Sequence, residues 1–283
     1  FDPTKQGAIV TTLRKRASFT QLTLYYMRRK PLGAFGVGIV IFVGLVALFA
    51  PLIAPFPYQA QDYDAVKVAP DFTHFFGTDQ FGRDLFSRIV EGARISLLVG
   101  YASVIVGTGL GAVLGLFTGY YMGKLDAIIQ RFVDMWMSFP DLILALTIVA
   151  VFGNTMTNVI LDIAATIMPR GVRVIRSAAI ALRETDYVLA ANALGASNTR
   201  IILRHILPNT VAPFLIIMSS MFGTAILTEA GLSFLGLGIS EPFPSWGRML
   251  TGTAAQYAVT APWIVIFPGL AIMITVLGFA FAG

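Results

Sequence analysis

AANALGASNTRIILRHILPN, Ala190 to Asn209, is a polar and basic interruption between long apolar runs. Local rules predict two short helices meeting at a turn. Thr185 or Asp186 caps a first helix over Tyr187–Leu194 by accepting backbone N–H bonds. Gly195 suits the C′ position, where φ is positive and a side chain is unwelcome. Ser197 or Asn198 caps a second helix reaching Leu207. Pro208 stops or kinks it and disfavours helical geometry at Leu207. Asn209 and Thr210 then open the next apolar run. The elbow so built spans 187–208. Ala190, Ala191, Ala193 and Ala196 leave its turn nearly bare. Arg200 and Arg204 are four apart and share a face that can meet acidic or phosphate groups, with His205 beside them. Two uses fit: a rigid knob seated in the groove of a cytoplasmic protein, or an amphipathic helix resting on anionic lipid.

The rest of the chain places this elbow against a membrane. Of its 283 residues 56% are hydrophobic and 12% charged, and mean hydropathy is +0.77. Soluble domains carry about 25% charged residues. Apolar runs predict spans over about Leu32–Ile53, the gap from Arg94 to Lys124, Ile128–Phe152 with a kink at Pro140, Met156–Ile175, Asn209–Leu235 and Pro262–Phe281. That is about six helices of the ~20 residues a bilayer demands. Only helices or closed barrels satisfy the backbone in lipid, and the alternation of a barrel is absent. The expected fold is therefore all-α and polytopic, with the elbow between the fourth and fifth spans.

Charge sets the expected orientation. The head, Phe1 to Lys30, holds Lys5, Arg14, Lys15, Arg16, Arg28, Arg29 and Lys30 against Asp2. It is too basic, and the run behind it too long, for a cleaved signal peptide. The chain opens on Phe1, as a trimmed portion would. With the head inside, Arg170, Arg173, Arg176, Arg183, Arg200 and Arg204 are inside too. Asp62, Asp64, Asp71, Asp79, Asp84 and Glu91 fall outside, where acids outnumber bases. Lys and Arg therefore predict both termini in the cytoplasm. The net charge of +5 is no sign of nucleic-acid binding, because location matters more than sum in a membrane chain.

Catalytic chemistry finds little footing. With no cysteine there is no disulfide scaffold, thiolate metal site or cysteine nucleophile. His74 and His205 are too few for a histidine-rich metal site and fall on opposite sides of the membrane. No Gly-x4-Gly-Lys-Ser/Thr phosphate loop occurs. We expect no catalytic residue, no metal and no enzyme.

Other features carry candidate roles. Gly107, Gly111, Gly115 and Gly119 strip one helix face of side chains, for static packing or for a sliding, pathway-lining helix. In the outer loop Gly77 and Gly82 permit turns. Asp79, Arg83 and Asp84 can lock that loop through charge-assisted hydrogen bonds or touch a receptor. In SEPFPSWG, Ser240 to Gly247, Trp246 suits an interface anchor, or part of a docking rim or an outer gate. Asp162 and Glu229 are intramembrane acids, which are costly and are usually functional or paired. Glu229 suits pairing or snorkelling, and Asp162 suits a pathway-facing charge or, with a shifted boundary, the outer surface. Arg131 and Asp134 are expected to neutralise each other, and Arg173 and Arg176 to mark the inner end of the fourth span.

The elbow resembles the EAA loop of ABC-importer permeases: Glu-Ala-Ala, three residues, Gly, nine residues, Ile-x-Leu-Pro. Ala190, Ala191, Gly195, Leu207 and Pro208 match in register, while Leu189 replaces the Glu and His205 the Ile. The missing Glu removes one ionic contact expected with an ATPase. His-Ile-Leu-Pro-Asn resembles the dipeptide and oligopeptide branch. So do HFFGTDQFGRDLFSRIVEGARISL, His74 to Leu97, then LSFLGLGISEPFPSWGRML, Leu232 to Leu250, and the last span, Trp263 to Phe281. The resemblance covers nearly everything from Arg28 onward, as the second permease of such importers. Asp162 departs from it, and so does the end at Gly283, where the family continues into a short charged tail.

The resemblance implies a type I importer fold. A cytoplasmic segment would occupy 1–30, the first span and extracytoplasmic loop 31–93, and a five-helix transmembrane domain 94–283. It implies a permease of the bacterial inner membrane that moves di- or oligopeptides by alternating access, with nickel or glutathione-like solutes as alternative cargo. Implied partners are a homologous second permease, two ATP-binding subunits and an extracytoplasmic substrate-binding protein. ATP and Mg would sit in the ATP-binding subunits and no cofactor in this chain. The elbow would seat in an ATPase cleft through Ala190, Ala191, Gly195, Ala196, Arg200, Arg204, His205, Leu207 and Pro208. A proton-coupled carrier using Asp162 and Glu229 stands as the alternative.

Overall fold

A computed structural model describes residues 29–252 and 256–283. The basic head therefore lies outside the described residues, except for Arg29 and Lys30. The described residues are helical, with one isolated bridge between Thr78 and Asp84 and no strand.

The chain enters through α1 (Pro31–Leu48) and the short α2 (Ala50–Ile53), each with a proline in its first turn, where a missing N–H costs nothing. A loop with one 3-10 turn, Tyr63–Ala65, leads to α3 (Leu85–Tyr121). Asp84 caps α3, its side chain accepting from the Ser87 N–H at 2.8 Å. At 37 residues α3 is about 55 Å long, well beyond the ~30 Å hydrocarbon core, so its ends stand outside that core.

α4 (Gly123–Met137) and α5 (Asp141–Phe152) follow, bent by 93° at Ser138–Pro140. The expected kink at Pro140 is a full break between two helices. Pro140 has no N–H to continue the ladder and drives Phe139 out of helical geometry, so the chain breaks and restarts. Among the described residues four stretches are long and apolar enough to cross a membrane: α1, α3, the continuous helix Asn198–Phe234 and the last helix. Counted as one span, the bent pair makes five. The expected fourth span is the front of α6 (Met156–Arg183), which is not among them. It carries Asp162, Arg170, Arg173 and Arg176 and packs along α3.

The glycine stripe explains that packing. A Cβ on Gly107, Gly111 or Gly115 would come within 2.5 Å of the carbonyl oxygen of Ala164, Met168 or Val172, and one on Gly119 within 2.6 Å of that of Arg176. Both series step by four and run the same way, so the two helices lie parallel, backbone against backbone. The stripe is used for close packing.

α7 (Asp186–Ala193) and α8 (Asn198–Ile201) form the elbow. A π-helical stretch, Ile202–Ile206, then runs into α9 (Leu207–Phe234) without a break. Of the two outcomes expected at Pro208, a stop or a kink, the stop does not occur, and Leu207 is helical. In the wide turn the Leu207 N–H donates to the Ile202 carbonyl, five residues back, which makes room for the proline ring as α9 begins. A short α10 (Trp246–Met249) and the last helix, α11 (Trp263–Ala282), complete the described chain. One apolar core joins α1, α3, α5, α6, α9 and α11, and a second gathers where α3 and α6 meet the elbow.

Candidate functional site

The elbow is built from two caps and a small core. Ser197 caps α8 by accepting from the Arg200 N–H at 3.4 Å. Thr185 precedes α7, yet its hydroxyl donates to the Leu182 carbonyl instead of capping. Gly195 follows the C-cap Leu194 at φ +79°, as C′ geometry demands, and a Cβ there would meet nothing within 4 Å. Glycine is needed for the backbone conformation and not for space. Val188, Ile201, Ile202 and Ile206 are buried against Leu116, Tyr120, Ile175 and Ala179, with Ala196 packed on them. The Tyr120 hydroxyl donates to Asn198 Oδ1 at 2.9 Å, and Asn209 Nδ2 donates to the His205 carbonyl at 2.7 Å and to the Tyr187 hydroxyl at 3.3 Å.

The other face is open. Ala190, Arg200, Arg204, Leu207 and Pro208 are exposed, and Ala191, Ala196 and His205 are half-buried. The tip also carries Leu189 and Leu194, the latter 89% exposed. Sequence reasoning noted Leu189 only as the residue in place of the motif Glu and missed Leu194. The signal for Leu194 was present: a leucine at the end of a short helix whose inward position is already filled by Val188. The bond from Tyr120 to Asn198 was missed because it joins residues 78 apart.

At the other end of the bundle the 54–84 loop is tied into a buried knot. Asp79 Oδ2 accepts from Arg83 Nε at 2.6 Å and lies 3.7 Å from Arg88 Nε, while Asp79 Oδ1 accepts from the Phe81 and Arg83 N–Hs. Asp84 serves twice: as the cap of α3, and through Oδ1, 2.9 Å from His74 Nδ1. The Thr78 N–H donates to the Val68 carbonyl. Gly77 and Gly82 sit at φ +74° and +70°, and a Cβ would press on the Val68 or Asp62 carbonyl. In the exposed part of the loop Asp71 accepts from the His74 N–H, which foremost holds its carboxyl below the usual range. Trp246 belongs inside this end and is only 2% exposed. Its indole N–H donates to the Ile89 carbonyl at 2.9 Å. The expectation of an interface anchor or docking rim fails, because Gly92 opens the space that the ring fills.

The two acids differ. Glu229, 1% exposed, accepts from the Ser233 hydroxyl at 2.7 Å and from that of Ser96 at 3.5 Å, with Ser245 behind Ser233. It is buried among hydroxyls and does not snorkel. Asp162 is fully buried inside α6, and neither carboxyl oxygen has a hydrogen-bond partner, so it is not at a surface. Nearer the elbow the α6 arginines pair across to the broken helix: Arg170 with Asp141 at 2.6 Å, Arg173 with Asp134 at 2.7 Å and Arg176 with Asp126 at 2.6 Å. Asp134 thus pairs with Arg173 and not with Arg131. The ladder pins the broken α4–α5 unit to α6. Among the described residues no cluster of metal-ligating side chains occurs.

This arrangement has counterparts among known proteins. Residues 111–282 match the family described as the binding-protein-dependent transport system inner membrane component. Residues 18–70 match the N-terminal TM domain of oligopeptide transport permease C. The dipeptide transport system permease protein DppC of Alkalihalophilus pseudofirmus is 43% identical over 268 residues, 95% of this chain and 86% of the relative. The glutathione transport system permease protein GsiD of Pectobacterium atrosepticum is 39% identical over 259 residues, 91% and 85% of the two chains. In fold, the chain is similar to the MetNI methionine ABC transporter (TM-score 0.53, 19% identity, 69% of this chain and 93% of the other). It is also similar to an amino acid ABC transporter (TM-score 0.52, 17% identity, 69% and 90%).

Proposed function

Because this chain belongs to the family of binding-protein-dependent transport system inner membrane components, we propose that it forms half of the transmembrane pathway of an ATP-driven importer. The other half is a homologous permease. Two ATP-binding subunits hold ATP and Mg, and an extracytoplasmic binding protein delivers the cargo. The cargo is a di- or oligopeptide or a glutathione-like solute, as the names of the relatives suggest. Both termini and the elbow face the cytoplasm, in line with the arginine-rich segments.

The observation that carries this reading is the elbow. Its buried side is bonded to the ends of α3 and α6, while Leu189, Leu194, Arg200 and Arg204 stand free on the other side. A body held in this way transmits displacement to the helices behind it. ATP closes the partner subunits, the elbows approach, and the helices rock between inward- and outward-facing states. ATP biases that equilibrium only through unequal binding to the two states. The carrier alternative finds little support, since Glu229 and Asp162 share no hydrogen-bond partner among the described residues.

The test is Gly195→Trp in the assembled complex. The fold of this chain leaves open space there, so the new ring protrudes into whatever docks. ATP hydrolysis is expected to persist while uptake in proteoliposomes falls at least about tenfold, a loss of about 1.4 kcal/mol in coupling. Coupled uptake at the normal rate would overturn the assignment of the elbow. Copurification of this chain without ATP-binding subunits would overturn the importer itself.

A further inference from the structure

The knot at the loop end borders a cleft of about 260 Å³ that its own ion pairs do not fill. Five charged side chains line it: Arg83, Arg88 and Arg248 against Asp79 and Glu241. Their pairing leaves a remainder. Asp79 is taken by Arg83 and Arg88, Glu241 lies 3.6 Å from Arg83, and Arg88 also donates to the Tyr58 carbonyl at 3.1 Å. The half-buried Arg248 has no partner for its guanidinium among the described residues. Only its backbone is engaged, through the Ser245 cap of α10. The wall behind is apolar, with Leu85, Met249 and Ile264, and Leu85 and Ile264 are almost wholly buried. A partly desolvated, unpaired fork of N–H donors over an apolar wall suits a carboxylate or a phosphate bound through two parallel hydrogen bonds.

The size of the cleft narrows the choice. It is smaller than a typical small-molecule site of about 300–1,000 Å³, so it takes one end of a ligand and not a whole oligopeptide. The cargoes in the names of the relatives, a dipeptide and glutathione, differ in length and side chains but both end in free carboxylates. We infer that Arg248 is a specificity-determining residue that receives the carboxylate end of a peptide cargo at the outer mouth of the pathway. This rests on the proposed importer function and on its orientation.

The test uses the assembled complex in nanodiscs without its binding protein, so that selection by that protein plays no part. The probes are Ala-Ala and Ala-Ala amide, followed by saturation-transfer NMR with titration. Ala-Ala is expected to bind weakly and the amide about tenfold more weakly, as the loss of one charged hydrogen bond predicts. Arg248→Gln is expected to bind both probes equally poorly, and Arg248→Lys to keep part of the preference. Equal binding of acid and amide by the unaltered complex would overturn the inference, and that arm does not depend on any variant folding. Full preference retained in Arg248→Gln would also overturn it. A second arm measures the binding-protein concentration that half-maximally stimulates ATP hydrolysis. If Arg248→Gln shifts that concentration and leaves Ala-Ala binding intact, the guanidinium meets an acidic side chain of the binding protein and not the cargo. A complex without stimulated ATPase would defeat the importer reading separately, whatever the peptide result.

Discussion

Gly82 and Gly195 adopt nearly the same backbone, φ +70° and +79°, in surroundings that could hardly differ more. At Gly82 a Cβ would overlap the Asp62 carbonyl, and the neighbouring charges bond to each other and to backbone. At Gly195 a Cβ would touch nothing, and the turn projects Leu194 into the open. The loop end of the bundle is a knot in which buried charges pair with each other and with backbone. The elbow end is a presented surface, fixed only from behind. One glycine is required by its neighbours, the other by its own torsion angle. Stability is therefore concentrated in the knot, and the elbow's exposed residues are free to serve a partner.

The largest expected effect breaks the knot. Asp79→Ala leaves Arg83 and Arg88 buried without their carboxylate, a loss of about 3–5 kcal/mol. Thermal unfolding of the purified complex should show it, and a change of under a degree would mean that the knot is wet and loosely held. Next comes Gly82→Ala, which adds carbonyl overlap to an unfavourable φ, about 2–4 kcal/mol. Gly195→Ala suffers the torsional cost alone, about 1–2 kcal/mol. The same melting assay applied to both glycines is the direct test of the contrast. Equal losses would show that the elbow turn is packed after all. The smallest change is the pair Arg200→Ala and Arg204→Ala. These side chains are exposed, so stability should move by less than about 0.5 kcal/mol. Stimulation of ATP hydrolysis by the binding protein should still fall, as the proposed function requires. A melting shift comparable to that of Gly195→Ala would instead assign the two arginines to the fold.

Legibility followed the range of the interactions. The turn at Gly195 and the Ser197 cap were readable because both depend on neighbours within four residues. The Pro208 stop was misjudged because a π turn, stabilised by Ile202 and Ile206 in the elbow core, absorbs the proline. Pro140 was underestimated for the opposite reason. Nothing local tells a kink from a 93° break, and the ladder of Arg170, Arg173 and Arg176 to acids 29 to 50 residues away holds the broken form. Arg131 looked like the partner of Asp134 because it lies one helical turn away, but the cross-helix arginine reaches it instead. Trp246 read as an interfacial residue because sequence shows an amphipathic ring but not the hole left for it by Gly92.

By itself the sequence determined a helical membrane chain with a capped elbow and a glycine-faced helix. Apolar run length, capping residues and small-residue spacing act within one element, and hydrophobic and backbone demands in a bilayer leave few alternatives. Only the tertiary structure decided which groups meet. It set α6 parallel to α3, matched Arg170, Arg173 and Arg176 to their acids, buried Glu229 among serines and left the Arg248 guanidinium without a partner among the described residues. Those outcomes depend on contacts between distant segments, where each charge takes the partner that packing brings near rather than the one adjacent in the chain.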